Sequence, residues 1–514
     1  MNSSILRPLA AWASRSPDLQ VVECGTDSLT WRQLASASDQ VAARVAARGI
    51  NPGDRIAVIG RPSIDWAVAA LGIIKAGAII CPLNERSGPA EIDQALGTLE
   101  PAVVVAAEAF RALIDGVAGP AGVEVDDLAT FVHDDDGPAG APVPVCTRAD
   151  DDPVAILSTS GSTGAPKGVV FTHRSLLNAF FEWSLQEPGF LRARSLNVSS
   201  MAFGAGLLNG FLGPLVLGGS LIFLPNWDAG VALRLIRDGK VTHLGATTIF
   251  YEQMAADPDF ADADLSSLTV AFTGGNPVTT ELIAAWSAKG IGLRQVYGLT
   301  ESQSNTTVPS VEMAIEYPES VGLGGVLNTF ALKNADGADC EPGEPGEIWI
   351  SGPGLAAGYW QDAEQTEAAF GGGWLRTGDV AVRDDAGRLT IVGRLKDIII
   401  SGGINIYAAE LERTIAELDG VLEVAVIGVA DDEFGETPAA LVRTSGELTA
   451  GDIIEHCLAR LARYKAPRYV EFLESPLPRT VSMKIKKGDL RSTYADLPDR
   501  TSKVAVPGRT LQTS

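Results

Sequence analysis

The chain has 514 residues, 46% of them hydrophobic, and its 64 acidic against 40 basic side chains give a formal net charge of −24. Such a field argues against a broad nucleic-acid footprint or an anionic membrane surface, while a local cradle for a nucleotide survives it because distant charge is screened. The length exceeds one domain of about 150 residues, and five scattered cysteines, Cys24, Cys81, Cys146, Cys340 and Cys457, contain no C-x-x-C pair, which points to a reducing compartment and away from a structural zinc site.

The N-terminus carries no charged segment followed by an apolar one, so no secretory signal is expected and the setting is read as cytoplasmic. From residue 54 the pattern alternates. Residues 55–59 read as a buried strand, Ser63 as the cap of a helix with Ile64, Ala67, Val68, Leu71 and Ile74 on one face, and residues 78–81 and 102–105 as further strands. An acidic, Pro/Gly-rich stretch at 134–153 reads as a linker or surface excursion. Strands are then expected at 154–157, 221–224, 241–244, 268–272 and 293–297. The uncharged run from Phe203 to Pro225 is long enough to span a bilayer, but Pro214 and Gly218-Gly219 break it into a buried helix, a turn and a strand.

Strands alternating with helices imply parallel sheets covered by helices. After residue 343 the texture changes to shorter strands. Beyond Arg394 it becomes that of a small α+β unit, with strands at 398–400 and 421–429 and a helix at 409–418. The expected fold is therefore α/β: a large N-terminal domain at 1–395, a smaller mobile α+β C-terminal domain at 396–495 and a flexible tail at 496–514.

The most informative segment is Ser158-Thr159-Ser160-Gly161-Ser162-Thr163-Gly164-Ala165-Pro166-Lys167-Gly168, directly after an apolar run. Glycines admit backbone N–H groups close to an anion, hydroxyls donate further hydrogen bonds, and the lysine adds a point charge, so the loop reads as a phosphate cradle. It lacks the spacing of the common G-x-x-x-x-G-K-[ST] loop. Downstream come Gly274-Gly275-Asn276-Pro277, Tyr297-Gly298-Leu299-Thr300-Glu301, Gly346-Glu347, Gly358-Tyr359-Trp360, Trp374-Leu375-Arg376-Thr377-Gly378-Asp379, Gly393-Arg394-Leu395-Lys396-Asp397, Ser401-Gly402-Gly403 and a segment from Pro478 to Lys484.

In content and order these motifs resemble the adenylate-forming superfamily, in particular its acyl-CoA synthetases. The resemblance implies a reaction in which a carboxylate attacks the α-phosphate of ATP, pyrophosphate leaves, and the acyl group passes to the thiol of coenzyme A. It further implies that Thr159, Ser160, Gly161, Ser162, Thr163, Gly164 and Lys167 cradle phosphate, that Gly274, Gly275, Asn276 and Tyr297 lie beside adenine, and that Glu301, next to Thr300, holds Mg²⁺ with phosphate oxygens. Asp379 would take the ribose hydroxyls and Arg394 the ribose or phosphate. Lys484 would bring its ammonium to carboxylate and nucleotide. Lys396 would be the hinge of the C-terminal domain, and Gly402 and Gly403 would face the incoming thiol. Lys486, Lys487 and Arg491 are expected to be solvated or to face CoA.

Phe203, Ile404, Ala408 and Met483 depart from the superfamily pattern, which leaves the acceptor open between CoA, a carrier-protein phosphopantetheine and an amine. The acid pocket, expected around Phe203, Thr247, Asn276 and Ser302, reads as mainly apolar and favours an aromatic or medium-size acid over an amino acid. No nucleic-acid partner is expected, and the chain is read as a monomer or homodimer.

Overall fold

A computed structural model describes residues 4–117, 123–133, 150–160, 166–275, 278–304, 306–480 and 484–504. Two compact units result: Met1–Phe330 with Trp349–Arg376, and Ala331–Ile348 with Thr377–Ser514.

The first unit contains two seven-stranded sheets. One runs, in spatial order, Leu293–Gln295, Val270–Thr273, His243–Ala246, Arg194–Asn197, Ser220–Phe223, Gln20–Cys24 and Asp27–Thr30. Its neighbours are parallel except for the last pair. The other runs Gly358–Tyr359, Pro166–Thr172, Pro153–Ser160, Ile79–Leu83, Arg55–Ile59, Val103–Ala106 and Glu124–Asp127. Here the first two pairs are antiparallel and the rest parallel. The expected parallel-rich α/β architecture is present, and the short runs of Val, Ile, Leu and Ala are what two-sided burial demands.

The Ile64–Ala76 helix starts where Ser63 accepts a hydrogen bond from the Trp66 N–H and stops at Gly77, whose φ of 83° is left-handed. The expectation of one apolar face is corrected: Trp66 to Ile74 are buried all round, as an almost wholly apolar helix must be. Gly72 lets the Trp31–Ala47 helix approach, since a Cβ there would overlap Val41. The uncharged run is a π-helical stretch at Ala205–Leu212, a short helix at Gly213–Val216 and the Ser220–Phe223 strand, buried except at Ala205. Among the described residues no helix is long and apolar enough to cross a membrane.

The second unit carries most of a four-stranded sheet, Thr329–Lys333, Pro345–Ser351, Leu375–Arg383 and Leu389–Arg394, and a five-stranded one. In the latter Gly435–Thr444 pairs along its length with Val421–Asp431 as a long antiparallel hairpin, and its other edge takes Ile398–Ser401 near Gly435 and Tyr469–Phe472 further along. Successive residues of the hairpin serve opposite faces: Val426 joins one core with Leu411, Ile415 and Ile453, and Ala425 and Ile427 join another with Tyr469 and Leu490. Much of the expected acidic linker, at 134–149, lies outside the described residues.

Candidate active site

Four adjacent parallel strands of the first sheet deliver candidate residues from their C-terminal ends. Tyr297 follows Leu293–Gln295, Gly274 and Gly275 follow Val270–Thr273, Thr247 follows His243–Ala246, and Phe203 lies beyond Arg194–Asn197. This is the edge at which open α/β sheets place ligands. Tyr297 is buried, Phe203 and Thr247 are half-buried, and Gly275 is exposed with φ at 89°. The Thr248 and Thr273 hydroxyls are hydrogen-bonded at 3.2 Å, which ties two of these ends together. Asn276 lies outside the described residues.

The segment with Thr300 and Glu301 is a closed loop. The Thr306 and Thr307 N–H groups donate to the Tyr297 carbonyl at 2.9 and 3.1 Å, and the Gln303 and Ser304 N–H groups donate to the Thr300 and Leu299 carbonyls at 3.0 and 2.8 Å. Gln303 and Ser304 take positive φ, 62° and 75°, a strained arrangement that clusters at functional sites. Ser302 is buried. Its hydroxyl accepts from the Leu299 N–H at 3.0 Å and from the Thr306 hydroxyl at 2.7 Å, so it holds the loop itself. Gln303 is fully buried, and neither of its amide atoms has a hydrogen-bond partner among the described residues. A Cβ on Gly204 would overlap Ser304 Oγ, which sets the Phe203 segment against this loop.

The described ends of the phosphate segment lie on an antiparallel strand pair. Pro153–Ser160 and Pro166–Thr172 pair with Thr159 opposite Lys167, and the Thr159 hydroxyl donates to the Lys167 carbonyl at 3.4 Å. Gly161, Ser162, Thr163 and Gly164, expected to cradle phosphate, lie outside the described residues, as does the Ser160 side chain. The two-residue strand Gly358–Tyr359 adds to the outer side of this strand pair, with Tyr359 opposite Val169. The Tyr359 hydroxyl donates to Glu301 Oε1 at 2.9 Å, and Lys167 Nζ stands 4.7 Å from the centre of the Tyr359 ring. Lys167, Tyr359 and Glu301, far apart in sequence, thus form one chain of contacts. Burial first, then the charge and hydrogen bond of Glu301, push the Tyr359 phenol above its ordinary range, so it stays a donor.

In the second unit Asp379 and Arg394 face each other across two strands, and Arg394 Nε lies 2.8 Å from Asp379 Oδ1. The approach to Asp379 is fixed by Gly378, with φ at 69° and its N–H donating to Glu347 Oε1 at 2.9 Å, and by the Thr377 hydroxyl, which accepts from the Asp379 N–H at 3.1 Å. Lys396 is exposed in the turn Leu395–Asp397. Gly402 and Gly403, φ 60° and 79°, form the two-residue turn between Ile398–Ser401 and Ile404–Tyr407, a geometry that two glycines supply without strain. Lys484 is exposed, and its N–H donates to the Thr480 hydroxyl at 3.1 Å while its carbonyl accepts from the Thr480 N–H at 2.7 Å. Met483 lies outside the described residues. The expectation for Lys487 and Arg491 is corrected: Lys487 pairs with Glu412 at 2.7 Å and Arg491 with Asp397 at 2.6 Å.

Comparison with known proteins matches residues 9–360 to the AMP-binding enzyme family and residues 410–484 to the AMP-binding enzyme C-terminal domain. The chain belongs to the adenylate-forming superfamily, as an acyl-CoA synthetase. It is 36% identical to long-chain-fatty-acid–CoA ligase FadD13 of Mycobacterium tuberculosis over 94% of this chain and 97% of that one. It is 35% identical to a feruloyl-CoA synthase of Amycolatopsis over 95% and 99%. The crystal structure of ATP-bound MatB from Rhodopseudomonas palustris superimposes with a TM-score of 0.87 at 28% identity, covering 97% of this chain and all of that one.

The synthetase's residues fit a magnesium ion of the kind that stays with its nucleotide. Among the described residues no group of three or more His, Cys, Asp or Glu side chains could cage a metal. Glu301 offers a single carboxylate on the same tyrosine that Lys167 contacts, and a hard, water-retaining cation completes such a shell from phosphate and water. The sequence shows Tyr359 in a motif without a role for it, and Gln303 only as the end of an acid-pocket segment at 299–303. The signal for Tyr359 was its place in the motif. The burial of Gln303 shows only in three dimensions.

Proposed function

We propose that this synthetase joins an aromatic or medium-size apolar carboxylic acid to coenzyme A. Activation of a carboxylic acid by ATP and transfer to CoA is the reaction of its family, and the acid is the finer part of the reading. The observation that carries it is the meeting of Lys167 and Glu301 on one tyrosine, which gathers a phosphate-binding cation and a magnesium-suited carboxylate at one place. The mainly apolar sequence around the expected acid pocket and the likeness to a feruloyl-CoA synthase support the acid class. The four described cysteines are free, in keeping with a cytoplasmic setting.

In this reading the loop backbone and Lys167 hold the outer phosphates, Tyr297 and Gly274–Gly275 border adenine, and Asp379 with Arg394 takes the ribose. Magnesium, held by Glu301, supplies charge neutralisation on the phosphates when bound. Thr300 lines the same loop. A substrate carboxylate oxygen attacks the α-phosphorus, the bond to pyrophosphate breaks, and the Lys484 ammonium offsets the charge that develops. The acid lies between Phe203, Thr247, Asn276 and the Ser302–Gln303 turn. The smaller domain then turns at Lys396, Gly402–Gly403 admits the thiol, sulfur attacks the acyl carbon, and AMP leaves.

The test is pyrophosphate release across aromatic, fatty and small acids, with CoA and with a carrier protein as alternative acceptors. The expected result is acid-dependent release, greatest with an aromatic or medium-size acid, and an acyl-CoA product by mass spectrometry. Thioester formed only on the carrier protein, or amide formed with an amine, overturns the CoA assignment. A preference for small or long-chain acids overturns the acid class.

A further inference from the structure

We propose that Tyr359 is a positioning residue for nucleotide binding, its phenol aiming the Glu301 carboxylate at magnesium and its ring seating the Lys167 ammonium. The proposal rests on the reading of Glu301 as the magnesium ligand.

The local chain is built to hold this side chain still. Within residues 356–360, the Ala356 N–H donates to the Glu301 carbonyl at 2.9 Å, the Ala357 N–H to the Val170 carbonyl at 2.9 Å, and the Trp360 N–H to the Gly168 carbonyl at 2.7 Å. The same short segment therefore grips the backbone of the metal loop and that of the strand pair flanking the phosphate segment. The Tyr359 N–H donates to the Thr366 hydroxyl at 2.9 Å, and the ring meets Phe370 edge-on at 5.8 Å. Gly168 allows the close approach, since a Cβ there would lie 2.8 Å from Ile156 Cγ2 and 3.2 Å from Trp360 Cβ.

The hydrogen bond engages Oε1 of Glu301, and Oε2 has no donor among the described residues. A phenol on one oxygen fixes the carboxylate plane and presents the other oxygen to a cation. Partners of this kind typically set metal affinity by about 10- to 100-fold. The ring does a second job. A lysine held over an aromatic face has already lost part of its rotamer freedom before a phosphate arrives, so less is lost on binding.

Two variants separate the two roles. Tyr359→Phe keeps the ring and removes the phenol, while Tyr359→Leu removes both. Glu301→Gln serves as the reference. Calorimetric titration of the full chain with α,β-methylene-ATP, in EDTA and across a Mg²⁺ series, reads binding without turnover, and thermal unfolding checks the fold. For Tyr359→Phe the magnesium half-saturation is expected to rise about 10- to 100-fold, with binding in EDTA unchanged. Tyr359→Leu is expected to weaken binding in EDTA as well, by about two- to fivefold. If Glu301→Gln shifts the magnesium series and Tyr359→Phe does not, the positioning role is overturned. If Glu301→Gln leaves the series unmoved, the metal reading of Glu301 fails instead. Equal loss in EDTA and magnesium by Tyr359→Phe, with a lowered unfolding midpoint, makes Tyr359 a packing residue and also overturns the proposal.

Discussion

His243 shows how a single buried residue sets the pH response of the fold. It is fully buried, its Nδ1 is 2.7 Å from Ser195 Oγ, and its ring centre lies 5.1 and 5.2 Å from those of Phe190 and Phe272. Burial first, and then the nearby Arg294 guanidinium, pull it down from 6.5 to about 3. The folded state thus favours neutral imidazole, while the unfolded chain takes up a proton below 6.5. Its contribution is fully present above that value and drains away as pH falls toward 3. Between pH 7 and pH 5 the loss is about 2 kcal/mol. Urea unfolding at the two pH values should show this drop in the parent chain, and His243→Gln should flatten it by that amount. An equal pH slope in both proteins would place the acid sensitivity among the carboxylates.

At the scale of elements, the His173–Gln186 helix acts as a peg for two distant segments. Glu182, 1% exposed, accepts from the Val326, Leu327 and Asn328 N–H groups at 2.5, 2.6 and 3.0 Å. One turn on, the Gln186 amide donates to the Thr306 carbonyl at 3.1 Å and accepts from the Val308 N–H at 2.7 Å, which closes the base of the Glu301 loop. Glu182→Gln keeps the shape but turns one acceptor into a donor facing a backbone N–H. A cost of about 2–3 kcal/mol is expected, read as a lower urea midpoint with faster proteolysis at residues 322–328. Unchanged cleavage there would deny the peg its role. Such links were invisible in the sequence because the partners lie some 144–146 residues apart. What was legible had a period. The strands at 55–59 and 103–106 and the capped helix after Ser63 announce themselves through apolar runs and turn residues. The glycines, hydroxyls and lysine of the phosphate segment stood out in the sequence, but the antiparallel pairing of its flanking strands did not. A two-residue strand such as Gly358–Tyr359 has no period to read, and the pairing that brings Tyr359 to Lys167 is settled by long-range register alone.

At the scale of the whole molecule, the reading requires one small domain to serve two chemistries in turn. Lys484 and the Gly402–Gly403 turn lie on different segments of the second unit. The helix that follows Lys484, Lys487–Thr493, is pinned by Lys487 to Glu412 at 2.7 Å and by Arg491 to Asp397 at 2.6 Å. Asp397 is the residue after Lys396, so a rotation there carries the Lys484 segment as part of one body. The glycine turn sits between Ile400 and Ile404, 56% and 39% exposed, at an apolar tip. A Cβ on Gly403 meets nothing within 4 Å, so Gly403→Leu adds bulk and backbone strain at that tip without disturbing a core. The two variants should therefore fail in opposite halves of the reaction. Lys484→Ala is expected to slow acid-dependent pyrophosphate release by about 10²–10³ while still converting supplied acyl-adenylate and CoA to thioester. Gly403→Leu is expected to release pyrophosphate normally and to stall at that second conversion. Rapid-quench assays of each half in isolation decide the matter: if both variants lose both halves equally, one fixed arrangement of the domain performs the whole reaction and the hinge at Lys396 has no part in it.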